Sequence, residues 1–65
     1  MSEQMTKMKA CTLGLIRKIE REDMIVQGAA SVYTTLADFV RVNYPEFTSD
    51  EVDHCVYYAM QASLF

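Results

Sequence analysis

The segment from residue 43 to residue 52 reads NYPEFTSDEV and contains the clearest structural signal in the chain. Pro45 disfavours helical geometry at Tyr44 and has no amide hydrogen, so a helix must end before it. Thr48 and Glu51 have the spacing of a capping box, in which each side chain accepts a hydrogen bond from the other residue's backbone amide. The segment therefore predicts a connection between two helices, and the second helix begins just after Thr48.

The residues after this connection repeat with a helical period. Apolar side chains recur at positions i, i+3, i+4 and i+7, which places them on one face of a helix over residues 49–64. Phe47 has the spacing from Val52 that a hydrophobic staple requires at the start of that helix. The predicted core face consists of Val52, Cys55, Val56, Ala59 and Met60.

Two further amphipathic helices are predicted upstream, over residues 3–21 and 24–44. In both, apolar positions alternate at spacings of three and four, which is typical of a helix that packs against another helix. In the first helix these positions are Met1, Met5, Met8, Thr12, Leu15 and Ile19, and Leu13 and Ile16 widen the stripe. In the second helix they are Ile25, Ala29, Val32, Leu36, Phe39 and Asn43.

The break between these two helices has three possible positions. Basic side chains fill the last turns of the first helix, and the acidic Glu22 and Asp23 follow. The helix dipole favours positive charge at the C-terminal end of a helix and negative charge at the N-terminal end. This pattern places the turn near residues 21–24. In the second placement Gly28 ends the first helix and Ser31 caps a shorter second one. The third is one uninterrupted helix through both segments. We rank them in that order.

Composition limits the class of protein. The chain has 65 residues, of which 51% are hydrophobic and 23% charged, with two glycines and one proline. This composition excludes a disordered tail, a collagen-like repeat and a disulfide scaffold. The chain also lacks the run of about 18 consecutive apolar residues that a membrane-spanning helix needs. We expect a single all-α domain, a small three-helix bundle or helical array. With two cysteines and no signal-peptide cleavage site, a cytoplasmic location with free thiols is expected.

Catalytic and metal-binding patterns are weak. His54 and Cys55 are neighbours that would point about 100° apart on a helix, so they cannot form a nucleophile and base pair. Cys55 is expected in the core, and Cys11 is expected to matter less for stability. Asp50 and His54 could touch one metal ion, but two ligands do not make a site. We therefore expect no enzyme activity, no cofactor and no metal.

Nucleic-acid binding is the second hypothesis for function, because three short helices also form helix-turn-helix proteins. Residues 1–21 carry a net charge of +3 and residues 22–65 a net charge of −6, so only the first helix offers a basic strip. The acidic start of the third helix would be repelled by phosphates. The residues that would bind nucleic acid are Lys7, Arg17, Lys18 and Arg21.

The leading hypothesis is a small non-enzymatic protein–protein interaction module that acts as a regulator, inhibitor or adaptor on a protein whose identity the sequence does not give. Tyr57 lies off the predicted core face and Tyr58 at its edge, and Phe65 ends the chain. Exposed tyrosines are enriched in interfaces because a rigid ring buries area while its hydroxyl stays satisfied. These three residues are the predicted partner-binding site.

Self-association is also expected. Three helices can each turn one stripe towards a shared core, yet the apolar face of the first helix is broader than one stripe, and a large exposed apolar patch is unusual in a monomer. A two-fold pairing would cover it and would place the +3 segment against the −6 remainder of a second chain. We therefore expect a homodimer through Met5, Met8, Leu15, Ile16 and Ile19.

Overall fold

The computed structural model describes residues 3–64, apart from the side chains of Ile25 and Leu64. This part of the chain contains no strand and forms three α-helices: α1 (Glu3–Arg21), α2 (Ala29–Asn43) and α3 (Ser49–Leu64). The predicted all-α fold is confirmed, and its form is a small helical array. Among the described residues, no helix is both long and apolar enough to cross a membrane.

The start of α3 is held by the predicted capping box. The Thr48 amide donates a hydrogen bond to Glu51 Oε1 at 2.8 Å, and the Glu51 amide donates one to Thr48 Oγ1 at 3.2 Å. The other carboxylate oxygen of Glu51 accepts a hydrogen bond from Gln4 Nε2 at 2.6 Å, which joins the first turn of α1 to the first turn of α3. The cap therefore fixes both where α3 begins and where α1 lies beside it.

The break between α1 and α2 differs in part from the prediction. α1 ends at Arg21, but the second helix does not begin at residue 24, because residues 24–27 form a short 3-10 helix instead. Asp23 and Gly28 both have positive φ, 49° and 85°, so the backbone leaves the α conformation at each end of that segment. Glycine adopts such a φ without a steric penalty. The 3-10 helix turns Met24 into the core, where it is fully buried.

α3 is the helix that the other two share. α1 packs along α3, α2 also packs on α3, and α1 and α2 meet mainly through the 3-10 helix. The hydrogen bonds from Gln4 to Glu51 and from Cys55 to the Met8 carbonyl each join residues 47 positions apart, so α1 and α3 run in the same direction. The short connection over residues 44–48 makes α2 and α3 a helical hairpin.

The core forms within a single chain. Leu15 and Ile19 have no exposed surface, and this removes them from any face that a second copy could contact in this conformation, contrary to their assignment to self-association. The accessible surface of 4391 Å² is close to the ~4,200 Å² typical of a folded 7.4 kDa monomer. Compactness by itself does not require a second chain. The buried residues are Cys11, Leu15, Ile19, Met24, Val32, Leu36, Ala37, Val40, Phe47, Val52, Cys55, Val56, Ala59 and Met60.

Replacing Thr48 with alanine removes the acceptor of the Glu51 amide. We expect Thr48→Ala to lower the free energy of unfolding by about 1 kcal/mol, as loss of an N-cap does in other helices. Urea denaturation monitored by circular dichroism measures it, with Ser49→Ala, one position inside the helix, as the control. An unchanged denaturation midpoint for Thr48→Ala would contradict the stabilising role of this cap.

Stability also depends on the charge of Glu51. The hydrogen bond from the Thr48 amide, supported by that from Gln4, holds the pKa of Glu51 below its ordinary value of 4.5 despite partial burial. A carboxyl group with a lowered folded-state pKa stabilises the fold above pH 4.5, and this contribution is lost as pH falls through the folded-state pKa. We expect the wild type to lose more stability than Glu51→Gln over this acid range in urea titrations; parallel pH profiles would contradict the assignment.

Candidate docking groove

An apolar groove of about 520 Å³ runs between α1 and α3. We call it the α1/α3 groove. The two helices lie side by side and run in the same direction, and each forms one wall of the groove. The groove is lined by Met5, Met8, Lys9, Thr12, Leu13, His54 and Tyr58.

Large apolar side chains in the groove are exposed. Met5 and Leu13 on α1 are each 55% exposed, and Tyr58 on α3 is 57% exposed. The Tyr58 ring lies one helical turn after His54, and the two ring centroids are 4.6 Å apart. The groove therefore offers two aliphatic side chains on one wall and a pair of rings on the other.

One backbone polar atom beside the groove, the Met8 carbonyl oxygen, is satisfied within the chain. The Met8 carbonyl accepts hydrogen bonds from Thr12 Oγ1 at 2.9 Å and from Cys55 Sγ at 3.7 Å. Lys9 is different, because it makes no ion pair with any residue that the structure describes. The groove therefore presents an apolar surface with one available positive charge.

The predicted self-association residues separate in the structure. Met5 and Met8 line the groove, Ile16 is half-buried, and Leu15 and Ile19 belong to the core. Spacing alone predicted a stripe on α1, but it did not fix which side of that broad stripe faces α3.

The predicted partner-binding residues also separate. Tyr58 lies in the groove, whereas Tyr57 lies on the side of α3 that faces α2, with its ring centroid 5.3 Å from that of Tyr33. The Tyr33 hydroxyl donates a hydrogen bond to Asp53 on α3. Phe65 lies outside the described residues.

Sequence reasoning did not place Lys9, Leu13 and His54 in a site. A signal for two of them was present, since Met5, Lys9 and Leu13 are spaced four residues apart and so lie along one line of a helix. His54 is four residues before Tyr58 and follows the same rule.

Two of the four predicted nucleic-acid contacts are engaged elsewhere. Lys7 Nζ lies 3.5 Å from a carboxylate oxygen of Glu46, and Lys18 Nζ lies 2.7 Å from one of Glu22. Lys18 also sits over the Phe39 ring, 4.9 Å from its centroid. Arg17 and Arg21 make no ion pair within residues 3–64.

The two cysteines face each other within the α1–α3 interface and do not form a reactive site. Cys11 and Cys55 are both buried, so the expectation that Cys11 matters less is not supported by its position. Burial, and after it the neighbouring Cys55 thiol, raises the pKa of Cys11 to about 12. His54 packs on Tyr58 while Cys55 donates to Met8, so the two side chains point apart. Among the described residues, no three potential metal ligands come together.

A comparison with protein-family models, curated proteins and solved structures finds no match to this chain. A function for this chain must therefore be inferred from the chemistry of the α1/α3 groove. An open apolar groove between two helices suits the apolar face of another helix, which is a recurring mode of recognition. Lys9 adds a charge that a carboxylate on such a helix would neutralise.

Both thiols are expected to resist alkylation in the folded protein. At a given pH well below 9, raising the Cys11 pKa from 9.0 to about 12 lowers its thiolate fraction about a thousandfold, and only the thiolate reacts. Mass spectrometry after iodoacetamide treatment, with and without urea, measures this. Fast labelling of either cysteine without urea would contradict the burial of the pair.

Proposed function

We propose that this protein is a small non-enzymatic interaction module that acts as a regulator, inhibitor or adaptor by docking its α1/α3 groove onto a helix of another protein. One observation carries the proposal: Met5, Leu13 and Tyr58 are more than half exposed in one groove, although the core is closed without them. Contiguous apolar side chains on a soluble domain mark interaction sites.

The shape and charge of the groove favour a particular kind of partner. Side chains at positions i, i+3 and i+7 of an amphipathic helix can fill an apolar groove between two helices. A carboxylate on the rim of that helix would pair with Lys9, which has no ion-pair partner among the described residues. Tyr58 supplies a rigid ring that buries area at low entropic cost. The proposed partner is therefore an amphipathic helix with an acidic residue beside its apolar face.

Nucleic-acid binding through the basic first helix is less well supported. Lys7 and Lys18 already pair with carboxylates. The first turn of α3, which would approach the phosphates in a helix-turn-helix arrangement, contains Asp50 and Glu51. No contact in the described part of the chain favours this alternative.

Synthetic helices test the proposal directly. The probe is a capped alanine-based helical peptide of about 20 residues, long enough to be helical in water. It has Leu, Ile and Leu at i, i+3 and i+7, and Glu at i+4, beside that apolar face. We expect it to bind the folded protein and to shift the amide resonances of Met5, Leu13 and Tyr58. A matched peptide with Lys in place of Glu should bind about threefold to tenfold more weakly, because it meets Lys9 with a like charge.

Matched variants show whether binding uses the groove. Leu13→Asp should abolish binding without unfolding the chain, because Leu13 is outside the core. Val42→Asp, an equivalent change at a 79% exposed position of α2, should leave binding unchanged. Lys9→Glu should reverse the preference between the two peptides. Absence of binding, or binding that survives Leu13→Asp, would overturn the proposal.

A further inference from the structure

The groove wall on α1 continues into a charged and apolar stripe. Lys9 and Leu13 line the groove, and Ile16 and Glu20 follow at spacings of three and four residues, so all four share one face of the helix. Ile16 is half-buried and Glu20 is exposed. Glu20, like Lys9, makes no ion pair with any described residue.

This stripe can pair with an identical stripe that runs in the opposite direction. Read from either end, it runs from a charged residue through two branched aliphatic residues to a charged residue of opposite sign. When a second α1 lies antiparallel to the first, with the two-fold axis between Leu13 and Ile16, each Leu13 faces Ile16 of the second copy. Each Lys9 then faces Glu20 of the second copy, and symmetry makes this pair twice.

We propose that a second copy of this chain occupies the α1/α3 groove, with its α1 antiparallel to the first in this register. The inference rests on the proposed function, because it names a partner for the same docking groove. The α1 helix of the second copy has the features that the groove selects, an apolar face bordered by a carboxylate. A helix of another protein would compete with it for the same surface.

Charge also disfavours two other antiparallel registers. A two-fold axis that passed through Lys9 would place the two Lys9 side chains against each other, and one that passed through Glu20 would do the same for the carboxylates. Like charges that face each other disfavour an association, whereas complementary pairs mainly set its orientation. The axis between Leu13 and Ile16 avoids both repulsions and buries the aliphatic side chains at its centre.

The available area predicts a weak dimer. α1 has 19 residues and is about 28 Å long, and the molecule is 18 Å wide in its second dimension. That face offers about 500 Å² per chain and about 1,000 Å² in total, at the lower limit for a specific interface. The dimer is therefore expected to be in rapid equilibrium with a folded monomer.

Reciprocal charge reversal tests the register. We expect sedimentation equilibrium to show a concentration-dependent dimer of the wild type, and Lys9→Glu and Glu20→Lys each to weaken it about tenfold or more, because two attractive pairs become repulsive. The double variant restores opposite charges in both pairs and should recover dimerisation. Arg21→Glu is the control, because it changes the net charge as Lys9→Glu does. The Arg21 side chain lies about 100° around the helix from Glu20, so this variant should leave dimerisation unchanged.

The outcomes separate this inference from the proposed function. A monomer at all concentrations that still binds the acidic helical peptide would overturn the second copy as partner and leave the groove as a docking site. A dimer that resists Lys9→Glu, or one that the double variant does not restore, would place the interface elsewhere and also overturn it. A monomer that binds no helical peptide would overturn both. Circular dichroism of each variant confirms that the helices are intact.

Discussion

Burial of one face of α3 between the other two helices is the interaction on which the rest of the structure depends. Val52, Cys55, Val56 and Ala59 are each at most 1% exposed, whereas α1 and α2 meet mainly through the 3-10 helix. At about 25 cal/mol per Å² of apolar surface, this burial is the main stabilising contribution. Without α3, the apolar faces of α1 and α2 would have no common partner. The α1/α3 groove exists because α1 lies directly against this helix.

The polar contacts at one end of the molecule determine how α1 lies there. Glu51 closes the cap of α3 and also accepts a hydrogen bond from Gln4, and Lys7 of α1 pairs with Glu46 just before that cap. Exposed ion pairs contribute little to stability, about 0–1 kcal/mol each. These contacts therefore set the axial position of α1, and the apolar burial supplies the free energy that keeps it in place.

Local signals predicted much of the fold, and the site was harder. Pro45 and the Thr48–Glu51 cap act within a few residues, so the end of α2 and the start of α3 follow from sequence. The positive φ of Gly28 is compatible with several turns, and the 3-10 helix before it depends on tertiary burial of Met24. In the groove, Met5, Met8 and Tyr58 were predicted as contacts. Lys9, Leu13 and His54 were not, because periodicity identifies a broad apolar face but not its rotation about the helix axis.

Leu13 and Leu15 show how the rotation of α1 about its axis determines which side chains are buried. They are the same residue type two positions apart, about 200° around the helix, and one is 55% exposed in the groove while the other is fully buried. The buried face of α1 and the face that we propose for docking are therefore different, and substitutions on one can leave the other unchanged. In the proposed docking mode the contact face is small, so its apolar contacts alone would accept many amphipathic helices. Discrimination between helices would then come from the charged rim, where the position of a carboxylate relative to Lys9 would decide which helix fits and in which direction.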